Sequence, residues 1–125
     1  NAIERFARRI SSMDQIQFII DIEEGIEEQD LDSVDKFNLY RIIQELFNNS
    51  LKHADASEFS ISLRRCEEGI ELIAMDNGVG FEMEKIQKGL GIENIQYRMN
   101  MAGIQGAFNS VLGKGTSVKM MLKSV

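Results

Sequence analysis

This 125-residue sequence predicts an α+β fold, a two-layer sandwich of one mixed, mostly antiparallel sheet with helices on one face. Three observations carry that expectation. Segments that alternate bulky apolar with polar residues come in pairs joined by short glycine turns. Segments with apolar residues at helical spacing are few. The two kinds do not alternate strictly along the chain, as a doubly wound parallel sheet would require.

Residues 3–13 carry Ile3, Phe6 and Ile10 at helical spacing and read as the end of an amphipathic helix. Gln15–Ile22 alternates through Ile16, Phe18, Ile20 and Ile22, a strand with one buried face. An acidic loop follows, and then a strong helix from Leu39 to about His53. Ser57–Cys66 alternates through Phe59, Ile61 and Leu63. Glu67-Glu68-Gly69 makes a turn, and Ile70–Met75 returns as the second strand of a hairpin. Phe81–Gly91 reads as irregular or short helical structure bounded by glycines, a natural mobile lid. Ile92–Ala102 reads as a helix stopped by Gly103. Ala107–Val111 and Thr116–Leu122 read as two strands joined through Gly113-Lys114-Gly115.

The length suits a single domain spanning residues 1–125, large enough to bury a core. A hydrophobic content of 43% and a charged fraction of 27% are those of a globular chain rather than a disordered one. Net charge is −6 with no basic tract, which argues against nucleic acid as a partner, because phosphate backbones call for clustered Lys and Arg. Part of the acidity is local: Asp21, Glu23, Glu24, Glu27, Glu28, Asp30, Asp32 and Asp35 crowd one stretch, read as solvated. The one cysteine, Cys66, excludes an internal disulfide and fits a reducing, cytoplasmic setting. Its place in an alternating stretch predicts buried or half-buried packing. No run approaches the roughly 18 apolar residues of a membrane span, so no direct membrane contact is expected of this domain. The helical pattern already under way at Ile3 suggests a piece of a longer protein.

The chemistry concentrates in two places. On the 39–53 helix, Leu39, Ile42, Ile43, Leu46, Ser50 and Ala54 fall on one broad core face. Glu45, Asn49 and Lys52 fall on a narrower stripe beside it at i, i+4, i+7, with His53 at its edge. The bland reading is an exposed polar stripe. The functional one is that the Asn carbonyl is a hard oxygen suited to Mg²⁺, Glu45 can accept a proton or orient a water, and Lys52 can meet a phosphate. The second place is Asp76-Asn77-Gly78-Val79-Gly80, where a carboxylate ends an apolar strand. Turn chemistry accounts for Asp-Asn-Gly. Gly80 is less easily explained by a turn and would let the backbone approach a flat ligand. A buried carboxylate needs a donor, which an adenine amine would supply.

Two weaker signals accompany these. Lys88-Gly89-Leu90-Gly91 enters a helix N-terminus, where backbone N–H groups and the helix dipole favour anions. Arg98 lies about two turns on, available to phosphate, to solvent or to a structural pair. Gly113-Lys114-Gly115-Thr116 serves as a hairpin turn, and functionally Thr116 would give a hydroxyl to the purine end of a pocket.

Together these motifs resemble the GHKL ATPases, the family of gyrase, the large heat-shock chaperone, MutL and sensor histidine kinases. Residues 39–54, LYRIIQELFNNSLKHA, look like its N box, closest to the form in the nitrate-sensor and DesK-like histidine kinases. Asp76–Phe81 looks like the first glycine box, Gly89-Leu90-Gly91-Ile92 with Asn94 and Arg98 like the second, and Gly113–Thr116 like the third. Order and spacing match across about residues 39–122. The resemblance implies the Bergerat ATP fold with a mobile ATP lid. It also implies that Asn49 coordinates Mg²⁺, with Asn48 a competing candidate set aside because the family motif puts the ligand four residues after the Glu. Glu45 would assist phosphoryl transfer and Asp76 would bind the adenine amine. Gly78 would belong to the same nucleotide loop, and Gly80 and Thr116 would share a water with the ring. Lys52, His53 and the backbone of Gly89, Leu90 and Gly91 would address the phosphates.

The implied cofactors are ATP and Mg²⁺. The implied partners are a histidine-bearing dimerisation domain of the parent chain and a response regulator. His53 lies inside the N box, so it does not match the phosphoacceptor position, and the chain looks like a catalytic domain alone. Two other readings stand beside this one: a freestanding serine kinase of anti-sigma type, and a nucleotide-binding module without transfer. The parent of a histidine kinase domain is compatible with membrane anchoring.

Overall fold

The computed structural model describes Arg5 and Arg8, both helical, and residues 16–31, 34–52, 55–80 and 92–123, the side chains of Glu28 and Lys52 excepted. The expected lid at 81–91, His53, Ala54 and most of the first helix lie outside these residues.

Five strands form one sheet in the order β1-β2-β3-β5-β4: β1 Gln17–Ile22, β2 Glu58–Cys66, β3 Gly69–Asp76, β4 Gln105–Val111 and β5 Gly115–Leu122. β1 runs parallel to β2, in register from Gln17 opposite Glu58 to Ile22 opposite Leu63. All other pairs are antiparallel. The parallel pair needs a long crossover. It is supplied by a short 3-10 turn, Glu28–Leu31, and by helix α1, Lys36–Lys52. Helix α2, Ile92–Ala102, precedes the β4–β5 hairpin. The α+β class, the mixed sheet and the hairpins are as the sequence predicts.

Local chemistry sets the ends of the helices. Asp35 caps α1: its Oδ1 accepts the Asn38 backbone N–H at 3.2 Å, and its Oδ2 accepts from Asn38 Nδ2 at 2.6 Å. α1 therefore begins three residues before the apolar periodicity does. α2 ends in a Schellman arrangement, with Ile104 N–H on the Met99 carbonyl at 2.9 Å, Gly103 N–H on Asn100 at 3.2 Å, and Gly103 at φ 70°.

One apolar cluster fills the space between the helices and one face of the sheet. α1 contributes Leu39, Ile42, Ile43, Leu46 and Phe47, and α2 contributes Ile95, Met99 and Ala102. The sheet contributes Phe59, Ile61, Leu63, Leu72, Ala74, Val118 and Met120, alternate residues along each strand. Phe18, Phe47 and Phe59 meet with ring centroids 5.2–5.5 Å apart, joining β1, α1 and β2. Phe47 extends the helix core face beyond the residues that the sequence assigned to it. It sits four residues after Ile43 and so shares that side of the helix.

Cys66 corrects an expectation, because it is exposed. Burial along β2 falls on Phe59, Ile61 and Leu63, and an even-numbered residue at the end of that strand belongs to the opposite face. The acidic stretch is also more specific than a solvated run. Arg65 pairs with Asp30 at 2.8 Å and donates to the Gly25 carbonyl, while its own N–H meets Glu23 Oε2 at 2.8 Å. Arg64 pairs with Asp21.

Phe47→Ala removes the aromatic side chain common to β1, α1 and β2 and is expected to destabilise the fold by about 3–5 kcal/mol. Urea unfolding followed by circular dichroism reads this as a fall in midpoint at unchanged slope.

Candidate functional site

The site is organised around the Asp76 carboxylate at the C-terminal end of β3. Oδ1 accepts the Gly78 N–H at 2.9 Å and the Thr116 N–H at 3.1 Å. Oδ2 accepts the Ser50 hydroxyl at 2.7 Å. One side chain thereby joins helix α1, the loop after β3 and the start of β5. A carboxylate offers about four acceptor lobes, so these bonds occupy three and leave one on Oδ2. This alters the sequence argument about Asp76. The carboxylate is half-buried, and the protein itself supplies the donors that its burial requires.

The glycines make this approach possible. A Cβ on Gly115, at φ 93°, would stand 2.2 Å from the Asp76 carbonyl oxygen. A Cβ on Gly80, at φ 66°, would stand 2.1 Å from the Val111 carbonyl oxygen. The expectation for Gly80 was close approach to a ligand. The structure gives it a reason inside the protein, since the loop after β3 lies directly on the β4–β5 hairpin. Gly113 N–H closes the same contact on the Val79 carbonyl at 2.7 Å. Asn77 turns the other way and clamps the start of β2, its Oδ1 accepting from Ser57 and Glu58 N–H at 3.0 and 2.9 Å.

Thr116 is half-buried, and its hydroxyl lies 2.8 Å from that of the buried Ser110. Asp76, Gly78, Gly80 and Thr116 are thus brought together as the sequence expected. Glu45 and Asn49 are half-buried on one stripe of α1. Asn49 is one residue, about 100°, round the helix from Ser50, whereas Asn48 is two residues away and turned from Asp76. The side chain of Lys52, and His53, Gly89, Leu90 and Gly91, fall outside the described residues. Arg98 takes its structural alternative, donating to Asn38 Oδ1 at 3.0 Å and tying α2 to the start of α1.

Ser50 and Ser110 were missed as site residues. Ser50 carried a signal, being the one polar residue on the apolar face of its helix. Ser110 carried none, because its partner Thr116 lies across a hairpin. No group of three or more His, Cys, Asp or Glu suited to a metal occurs among the described residues.

The family model described as histidine kinase-, DNA gyrase B- and HSP90-like ATPase matches residues 34–124, which include all the elements just described except β1 and the 3-10 turn. The chain belongs to this ATPase family. Among curated relatives it is 30% identical to the sensor histidine kinase LiaS of Bacillus subtilis over 102 residues, covering 81% of this chain and 28% of LiaS. It is 32% identical to the sensor histidine kinase ComP of the same organism, covering 82% of this chain and 14% of ComP. The chain therefore spans under a third of the length of these relatives. The ATP binding domain of PrrB from Mycobacterium tuberculosis superposes with a TM-score of 0.74 at 16% identity, covering 97% of this chain and 90% of that one. A blue-light activated histidine kinase of Erythrobacter litoralis superposes at 0.73 over 97% of this chain and 40% of that one. At such identities the structural likeness speaks for the fold. The GHKL resemblance read from the motifs is borne out by the family match.

Gly115→Ala and Gly113→Ala separate conformational strain from collision. Both glycines have positive φ, but nothing lies within 4 Å of a Cβ at Gly113. Gly113→Ala is expected to cost about 1 kcal/mol. Gly115→Ala adds displacement of the Asp76 backbone and is expected to cost at least about 2 kcal/mol more. Equilibrium unfolding of the two variants side by side measures the difference.

Proposed function

We propose that this chain is the ATP-binding catalytic domain of a sensor histidine kinase, working with a separate helical domain that carries the phosphoacceptor histidine. The observation that carries the reading is the Asp76 carboxylate, locked by three donors with one acceptor lobe left over, beside the Glu45–Asn49 stripe of α1. Membership of the ATPase family and the similarity to sensor histidine kinases support it.

In this reading the remaining lobe of Asp76 accepts the exocyclic amine of adenine, with Gly78 and Gly80 shaping the loop and Gly80 and Thr116 sharing a water with the ring. Asn49 offers a hard carbonyl oxygen with Glu45 one turn away. That donor set suits Mg²⁺, which takes few protein ligands and completes its shell with water and phosphate oxygens. When bound, the ion would neutralise phosphate charge. Lys52, His53 and the Gly89–Gly91 backbone would hold the phosphates. Glu45 would take the proton from the attacking imidazole as its nitrogen bonds to the γ-phosphorus and ADP departs. The protein's part in such a transfer is chiefly positioning and charge complementarity. A response regulator would then receive the phosphoryl group, and the setting would be cytoplasmic, with the parent free to be membrane-anchored. Among the described residues, no helix is long and apolar enough to cross a membrane.

Asp76→Asn keeps an oxygen for Gly78 and Thr116 but turns an N–H₂ toward Ser50 and the base. Nucleotide binding by calorimetry is expected to vanish while circular dichroism stays native. Unchanged affinity would remove the pocket assignment. Asn49→Ala is expected to abolish the strengthening of ATP binding by magnesium, read by titration with and without the ion. If magnesium strengthens binding equally in this variant, the ligand is Asn48 or another group.

A further inference from the structure

Asn77 is the one asparagine of the chain that is followed by glycine. In an Asn-Gly pair the glycine nitrogen can attack the side-chain amide in front of it, because no Cβ hinders the approach and glycine adopts the backbone angles that the ring requires. The chemistry needs only water. The Gly78 nitrogen bonds to Asn77 Cγ, the Cγ–Nδ2 bond breaks, and the proton of the Gly78 N–H leaves with the amine as ammonia. Water then opens the cyclic imide at either carbonyl. One opening gives aspartate. The other gives isoaspartate, whose main chain runs through Cβ and Cγ and is longer by a methylene.

The fold holds the two reacting groups apart. Asn77 is exposed, so water reaches it, yet its side chain is fastened to the start of β2. Oδ1 accepts the Ser57 and Glu58 N–H groups at 3.0 and 2.9 Å, and Nδ2 donates to Ser57 Oγ at 2.9 Å. The Asn77 N–H donates to the Glu58 carbonyl at 3.3 Å. Gly78 is buried, and its N–H is directed the other way, to Asp76 Oδ1 at 2.9 Å. The nitrogen must shed that proton to attack, and the carboxylate beside it opposes a second negative charge. Reaction therefore requires the Asn77 side chain to leave β2 and the Gly78 N–H to leave Asp76. Bonds of an exposed loop open locally while the core stays folded.

The product differs from the reactant where the site is built. With isoaspartate at 77 the main chain between the β2 anchor and the Asp76 anchor is longer, and Gly78 N–H no longer falls on Oδ1. We infer that Asn77–Gly78 is a self-modification site, closed in the native fold and opened by release of the loop, at which deamidation to isoaspartate uncouples the glycine loop from Asp76. A nucleotide held at Asp76 keeps the loop closed and slows the reaction, and this last step alone rests on the nucleotide-binding reading above.

The test incubates the 125-residue chain at mildly alkaline pH and follows Asn77 by mass spectrometry, with fragmentation that distinguishes isoaspartate from aspartate. The native chain is expected to convert at least about a hundredfold more slowly than the chain in guanidinium chloride, the combined effect of the bonds that must open. Ser57→Ala removes the partner of Nδ2 and is expected to speed the native reaction about fivefold, and Ser57→Thr, which keeps the hydroxyl, to return it. ADP with magnesium at about a hundred times Kd is expected to slow the wild-type reaction by at least about tenfold. The isolated isoaspartate form is expected to lose ADP binding by calorimetry with native circular dichroism. A native rate equal to the unfolded one overturns the inference. A native rate above it also does so, because the Ser57 and Glu58 N–H groups would then act on Oδ1 as a catalyst rather than a restraint. A folded Ser57→Ala chain that reacts at the wild-type rate overturns the clamp. If that variant does not fold, Ser57→Thr and the native-to-unfolded comparison carry the test. An isoaspartate form that binds ADP as wild type does overturns the link to Asp76. Wild type that binds no ADP overturns the pocket reading, and the arms without nucleotide still decide the modification site.

Discussion

The carboxylate of Asp76 is the joint through which the helical layer, the glycine loop and the far hairpin reach one another. One of its three donors is local, the Gly78 N–H two residues on, and two come from segments distant in the chain, Ser50 and Thr116. Hydrogen bonds to an ionised group contribute about 1.5–3 kcal/mol each, and a carboxylate brought partly out of water without them costs several kcal/mol. The arrangement is therefore close to all-or-none. It also accounts for residues that otherwise look unfavourable. A serine inside a helix competes with the backbone and lowers helix propensity, but at position 50 its hydroxyl has a charged acceptor to reach. Gly115 sacrifices chain entropy so that the Thr116 N–H can come within 3.1 Å of Oδ1.

Much of this was legible in the residues because it is local. Period-two alternation marked β2 and β3 to within a residue, and the pattern from Ile92 to Gly103 gave α2 with its stop. The i, i+4 spacing of Glu45 and Asn49 placed them on one stripe without any structure. What escaped reading depends on pairs far apart in sequence. Phe47 is buried by Phe18 and Phe59, strands that its own helix does not reveal. The reason for Gly80 lies at Val111. Cys66 was assigned to the wrong face because hydrophobicity was counted before strand parity. The carboxylate of Asp76 was expected to need a ligand as its donor, and the local Gly78 N–H with the long-range Thr116 N–H and Ser50 hydroxyl fill most of that role instead.

The surface tells a similar story about charge. The crowded acids after β1 read as a solvated run, and among the described ones Asp21, Glu24, Glu27 and Asp35 are exposed. Yet Arg64 and Arg65 at the hairpin end of β2 hold Asp21, Glu23 and Asp30, which pins the turn that leads into α1. Exposed pairs of this kind contribute well under about 1 kcal/mol apiece. Their value is in register. They tie the loop after β1 to the end of β2, and a few residues on Asp35, Asn38 and Arg98 fix the start of α1 against α2. The stripe that bears Glu45 and Asn49 lies further along the helix whose start these contacts hold.

The donors to Asp76 are of two kinds, and the difference bears on how such a site can vary. Gly78 and Thr116 give backbone N–H groups, which depend on φ and ψ and on the glycines that permit them. Any sequence that holds the loop supplies them. Ser50 gives a side chain, which a single substitution can remove without disturbing the glycine loop. The fold is shared with a protein of only 16% identity, which fits a scaffold written mainly in backbone geometry. Position 50 is then a point at which the character of the pocket can change while the scaffold stays the same. Ser110 adds a second buried side chain beside the site, its hydroxyl 2.8 Å from that of Thr116 and 3.2 Å from the Gly115 carbonyl. Of the three donors to Asp76, the two backbone amides follow from the loop alone, and the Ser50 hydroxyl is the one that rests on a side chain.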